Sequence, residues 1–217
     1  MRRVRRMAEP QEFDKEVRQP GIRCIKERTG QPVTGRRRLA QATTKDGQPI
    51  TNPADLPSEE FKEYWTKILP QMRMLWSGIC HYSAMYPEGA CLTVDHFVAK
   101  TRDWKLAYEW DNYRLAASSV NSAKGNKVGI MDPFDVDDGW FVINAVSFEV
   151  EPGTAIPNRE QAEYTIRELK LNSPGLVETR KAWVAAHLEA PMHAFFERRA
   201  PFLYSEMIRQ GIIEPPP

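Results

Sequence analysis

The sequence predicts an α+β fold: a short strand–strand–helix core embedded in a mainly helical body, with an irregular basic arm ahead of it. Three observations lead there. Leu92–Val98 and Asn112–Ala116 are short runs rich in apolar and β-branched residues, and a helical segment beginning near Ser118 stops at Gly125. Apolar residues recur at helical spacing before this stretch (Phe61, Trp65, Ile68, Leu69) and after it (Ala162, Ile166, Leu169). Residues 1–57, by contrast, are interrupted by ten prolines and glycines, from Pro10 to Pro57.

Composition bounds the problem. With 217 residues, 41% hydrophobic and 27% charged, the chain can bury one core, or one core and an appendage. It contains no run of about 18 apolar residues, the length that spans a membrane. The start, MRRVRRMAEP, lacks the apolar stretch of a secretory signal, and three cysteines make no even disulfide framework. A cytoplasmic protein is expected. The net charge of +1 hides an asymmetry: residues 1–40 carry twelve Lys or Arg against five Asp or Glu, and the rest of the chain is net acidic. Such an arm either meets an anionic partner, releasing counterions from phosphates, or is a solvated tail.

In chain order, residues 1–57 read as an extended arm with at most a short helix around Glu12–Arg18; Arg36, Arg37 and Arg38 form its densest positive spot. A domain then runs from 58 to 217. Ser58 is expected to cap a helix, with Glu59 and Glu60 suited to its positive end and Pro70 kinking or breaking it. A turn is expected at Pro87-Glu88-Gly89, and the strand–strand–helix core lies within about 80–126. Two further strands, near 139–143 and Val146–Val150, would be joined at Asn144-Ala145. The helical C-terminal part covers 158–210: a helix from Asn158 through Lys170, one from Ser173-Pro174 burying Trp183, Val184 and Leu188, and a last region interrupted by Pro201, fraying into the terminal prolines.

The stretch from Leu92 to Asn126 concentrates the chemistry. Asp95 and His96 are adjacent, Asn112 and Asn121 follow, and Lys100 and Lys124 lie close to them in sequence. Hydrolysis of a phosphodiester needs an activated water, neutralisation of charge growing on phosphate, and help for the leaving oxygen; one divalent metal and one general base supply all three. His96 is the candidate base, Asp95 offers a hard carboxylate oxygen to the metal, and Asn121 an amide oxygen. Asn112 is expected to fix the loop that carries His96. Lys100 and Lys124 would hold phosphates as point charges. On a regular strand Asp95 and His96 point to opposite faces, so the strand must bend or end there to serve one site.

The segment TVDHFVAKT…LAYEWDNYRLAASSVNSAKGN resembles the HNH endonucleases, whose motif runs DHF-x-PK-S, then W-x-N-hydrophobic, then C-x-x-C-N-x-x-K-G. RNA-guided CRISPR effectors carry a similar Asp-His…Asn…Asn arrangement. The opening MRRVRRMAEPQEFDKEVRQPG and the later TIRELKLNSPGLVETR are similar to bacterial HNH proteins of retron- and Septu-type anti-phage systems. The resemblance implies a ββα-metal core, with Asp95 and Asn121 as metal ligands, His96 as base and Asn112 as the middle asparagine. It also implies Mg²⁺, or Mn²⁺ or a similar ion, and products with 5′-phosphate and 3′-hydroxyl ends. Many relatives hold a structural zinc with two C-x-x-C pairs; the matching positions here are Cys80, Ser83, Ala117 and Val120, so no zinc cage is expected and apolar packing would replace it.

The expected function is therefore a metal-dependent DNA endonuclease or nickase of bacterial anti-phage defence. Its partners would be DNA, contacted through Lys100, Lys124, Arg36, Arg37 and Arg38, and a separate ATPase or sensor protein, since the chain has no P-loop. The alternative is a catalytically silent HNH-shaped module that binds nucleic acid or protein. Elsewhere, His187 reads as a packed histidine. Asp132, Asp135, Asp137 and Asp138 read as a turn, without the spacing of a calcium loop.

Overall fold

Short apolar runs and helical stripes settle into an α+β arrangement with seven α-helices and two small antiparallel sheets among the described residues. The structure, a computed structural model, describes residues 1–87, 89 and 91–216. In order the elements are α1 (Gln19–Arg28), α2 (Leu69–Leu75), β1 (Leu92–His96), β2 (Tyr113–Ala117), α3 (Ser118–Lys124), β3 (Phe141–Ile143), β4 (Val150–Pro152), α4 (Arg159–Glu168), α5 (Pro174–Glu189), α6 (His193–Arg199) and α7 (Pro201–Arg209). β1 pairs with β2, and β3 with β4. The chain divides into two compact units. One comprises Ala8–Met72 with Val94–Arg114, the other Met1–Met7, Arg73–Thr93 and Leu115–Pro217.

In the first unit, the segment read as an extended arm buries Phe13, Val17, Ile25, Ala42, Ile50 and Leu56. Phe13 packs edge-on against Trp110 and Tyr113, with ring centroids 5.6 and 5.7 Å away. The helix here is longer than the short one expected around Glu12–Arg18. A wide turn over Asp14–Arg18 leads directly into α1, which carries Pro20 and Gly21 without a break. The wide turn before Pro20 relieves the ring's clash with the preceding carbonyls, which lets the helix pass through the proline. The helix expected at Ser58 is instead a series of short turns, Ser58–Glu60 and Tyr64–Ile68, and Pro70 opens α2 instead of breaking it. Phe61, Trp65 and Ile68 are buried.

The second unit holds a core that includes Cys80, Tyr82, Val120, Phe141, Ile166, Val184, Phe196 and Leu203. Asn158 caps α4 through a bond from the Gln161 N–H to its side chain, and Pro174 opens α5. Two expectations change. The β3–β4 register is Phe141↔Pro152, Val142↔Glu151 and Ile143↔Val150, so six residues join the strands, not two. The Asn144 side chain accepts from the N–H groups of Val146 and Ser147, and this local turn consumes residues that would otherwise continue the ladder. Leu188 is 58% exposed and Trp183 is only partly buried; α5 buries Val184, as expected, together with Arg180 and His187. Pro201 interrupts the last helical region as expected: α6 stops at Arg199 and Pro201 opens α7. Of the turn at Pro87-Glu88-Gly89, Glu88 lies outside the described residues, as does Pro217 of the terminal prolines.

Candidate active site

β1 ends at His96, and the chain bends over residues 97 and 98. Asp95, the penultimate strand residue, is 3% exposed, and His96 is half-buried. The imidazole of His96 stands edge-on to Trp65 (ring centroids 4.6 Å) and to Tyr113 (5.1 Å), so two aromatic rings fix its plane. Its Nε2 lies 2.8 Å from the carbonyl oxygen of Ala107. A carbonyl oxygen only accepts, so Nε2 carries the hydrogen and, in the neutral ring, Nδ1 carries the lone pair. The Tyr113 hydroxyl donates to the same carbonyl at 2.9 Å and helps hold it in place.

Asn112 fastens the loop between the two strands. Its Oδ1 accepts from the Val98 N–H at 2.8 Å, and its Nδ2 donates to the carbonyls of Val98 (2.9 Å) and Leu106 (3.0 Å). The Phe97 N–H donates to the Asn112 carbonyl at 2.8 Å. One buried amide thus holds both ends of the segment that turns from His96 back toward Ala107. Within that segment Lys100 places its ammonium 4.3 Å from the centre of the Trp65 ring. Partial burial lowers the Lys100 ammonium from its ordinary value, against the opposing carboxylates of Glu63 and Glu59. Asp95, His96, Lys100 and Asn112 all belong to the first unit.

Asn121 and Lys124 belong to the second unit, on α3. The Asn121 Nδ2 donates to Thr93 Oγ1 at 2.9 Å, which leaves its amide oxygen as the atom suited to a hard cation. Thr93 Oγ1 in turn donates to the Ala116 carbonyl. Gly125 ends α3 at a φ of +50°. Lys124 is 1% exposed, so its ammonium does not reach solvent as a phosphate-holding charge would. Cys80, Ala117 and Val120 lie in one buried apolar cluster.

No family model matches this chain, and no curated protein matches it significantly.

Among the described residues, no group of three or more His, Cys, Asp and Glu side chains is gathered as a metal site. The Asp95 carboxylate and the Asn121 amide oxygen are each hard oxygen donors of the kind that Mg²⁺ takes. The acidic turn near residue 135 serves the N-terminus instead: Arg3 pairs with Asp137 at 3.0 Å and Arg6 with Asp135 at 2.7 Å. Two contributors to the site were not legible as such. Trp65 shares the spacing of ordinary core residues, and Ala107 acts through a backbone carbonyl that no side chain marks.

Proposed function

We propose that this chain is a metal-dependent DNA endonuclease or nickase of the HNH type, acting in bacterial anti-phage defence beside a separate ATPase or sensor protein. The observation that carries the reading is the bond from His96 Nε2 to the Ala107 carbonyl, because it directs the imidazole lone pair to Nδ1. Nδ1 takes a proton from a water as the water oxygen bonds to phosphorus and the phosphorus–3′-oxygen bond breaks. The departing 3′-oxygen takes a proton from solvent water and leaves as a hydroxyl. The imidazolium so formed keeps its Nε2–H on Ala107, a contact that strengthens as the ring becomes charged. Asn112 holds the loop against His96, so the base is oriented before substrate arrives. Lys100 is the lysine of this loop that would meet a phosphate. A divalent cation, Mg²⁺ by the resemblance, would be held by Asp95 and Asn121 and would neutralise charge on the phosphate and the leaving oxygen. One such site cuts one strand, so the first product is a nick.

The silent-module reading draws on the burial of Asp95, whose carboxylate must become accessible before it can meet a cation. Supercoiled plasmid separates the two readings. The wild-type chain is expected to produce nicked circles with Mg²⁺ or Mn²⁺ and none with EDTA, and His96→Ala to slow nicking by about 10²–10⁴-fold. Nicking that persists unchanged in His96→Ala would overturn the assignment of the base. A biological effect that survives His96→Ala would favour the silent module.

A further inference from the structure

The arginine-rich segment after α1 is bound to that helix by charges facing inward. Glu27, 2% exposed, accepts from the backbone N–H groups of Arg38 (3.0 Å) and Leu39 (2.9 Å) and from Arg23 Nε (2.9 Å). The two terminal nitrogens of Arg23 donate to the carbonyls of Thr34 (2.8 Å) and Arg36 (2.7 Å). Arg37 donates to the carbonyls of Glu27 (2.6 Å) and Gln31 (2.8 Å). Gly35 turns the chain at a φ of +77°, where a β-carbon would meet only open space. Arg23, Glu27 and Arg37 are thus consumed in shaping the loop. Arg36 and Arg38 are exposed, and among the described residues their side chains make no hydrogen bond or ion pair. The open cavity at this place, about 530 Å³, is lined by Arg23, Thr34, Gly35, Arg36, Arg37 and Arg38, with no carboxylate among them.

We propose that this loop is a preformed phosphate-binding site that takes phosphates of a nucleic-acid backbone through Arg36 and Arg38, its shape held by Arg23, Glu27 and Arg37. A guanidinium fork matches two phosphate oxygens, and a loop already fixed loses little freedom on binding. The loop presents arginines and no element that enters a groove, so it grips the backbone without reading sequence. The proposal rests on the nuclease reading only for its choice of nucleic acid as partner.

The test measures binding of the full chain to a fluorescent DNA duplex in EDTA, so cleavage does not enter. The variant R36Q/R38Q is compared with wild type and with K45Q/K181Q, which removes the same charge from two other exposed positions; circular dichroism checks that all three fold alike. R36Q/R38Q is expected to bind about tenfold more weakly near 0.1 M salt, with a salt slope smaller by about two, roughly 0.9 for each lost contact. K45Q/K181Q is expected to keep the wild-type slope. Wild-type affinity and slope in R36Q/R38Q, or an equal loss in the control, would overturn the proposal. Inorganic phosphate is expected to displace the duplex no better than chloride at equal ionic strength; strong displacement would assign the loop to a free phosphate compound and overturn the nucleic-acid assignment. An inactive protein that still shows the Arg36 and Arg38 loss leaves this site standing without the nuclease. A nicking protein with unchanged binding does the reverse.

Discussion

Asn112 illustrates how one side chain can decide the shape of a loop. Its amide oxygen and nitrogen make three bonds to the backbone of Val98 and Leu106, and it is 5% exposed. Removing the amide leaves an N–H and two carbonyls without a partner in a buried place. Asn112→Ala is expected to cost about 2–4 kcal/mol, read as a lower urea midpoint. Asn112→Asp has the same shape but aims a carboxylate oxygen at two carbonyls, and is expected to destabilise as well; wild-type stability in Asn112→Asp would show that the donated bonds are unimportant. At this scale the sequence displayed the residue types but not their partners. Asn112 is conspicuous beside Trp110, whereas the Ala107 carbonyl facing His96 has no signature in the side-chain order.

Among the elements, α1 departs furthest from the expectation drawn from its residues. Pro20-Gly21 reads as a break, yet both lie inside the helix. The glycine has a packing reason: a β-carbon on residue 21 would stand 2.2 Å from Cγ of Tyr108. The Tyr108 ring therefore rests against bare helix backbone, and its hydroxyl donates to the Lys62 carbonyl at 2.9 Å. Gly21→Ala improves helix propensity by roughly 1 kcal/mol but forces the ring away, and overpacking of this kind costs about 1–3 kcal/mol. Net destabilisation in urea unfolding is expected; a stabilised Gly21→Ala would mean that Tyr108 moves freely. By contrast, α3 with its Gly125 stop and α4 with its Asn158 cap were legible, because caps and stops act within a few residues of themselves.

Over the whole molecule, two buried groups contribute to the response to acid in different pH ranges, one near neutrality and one lower. Burial lowers the His187 imidazole below its ordinary 6.5, and the neighbouring His193 lowers it further. As the pH falls below about 6.5, the unfolded chain takes up a proton at His187 that the folded chain refuses, so stability declines until the folded group titrates. Burial works to raise the Glu27 carboxyl, but the N–H groups of Arg38 and Leu39 and the Arg23 guanidinium outweigh it and hold it below its ordinary 4.5. Below about 4.5 the unfolded chain protonates Glu27 first, and stability falls again toward the folded value. Urea midpoints measured across pH should therefore descend in two stages. His187→Gln is expected to flatten the upper stage alone, and an unchanged upper stage would remove His187 from this account.

Periodicity and end signals were enough to read an α+β chain, the order strand, strand, helix in its middle, and a set of residues suited to phosphodiester chemistry. Each of those depends on neighbours a few positions away, or on the functional groups that side chains carry wherever they lie. Folding alone decided that Ala107 faces His96, that Trp65 serves both His96 and Lys100, and that Lys124 is hidden. It also divided the arginines: Arg23 and Arg37 spend their donors on backbone carbonyls, while Arg36 and Arg38 remain outside. Residues 8–57 are rich in proline, glycine and charge, yet they are packed, because Phe13 meets Trp110 and Tyr113 about a hundred positions further along the chain. A local pattern carries no record of so distant a contact, since burial depends on which surfaces the whole chain brings together.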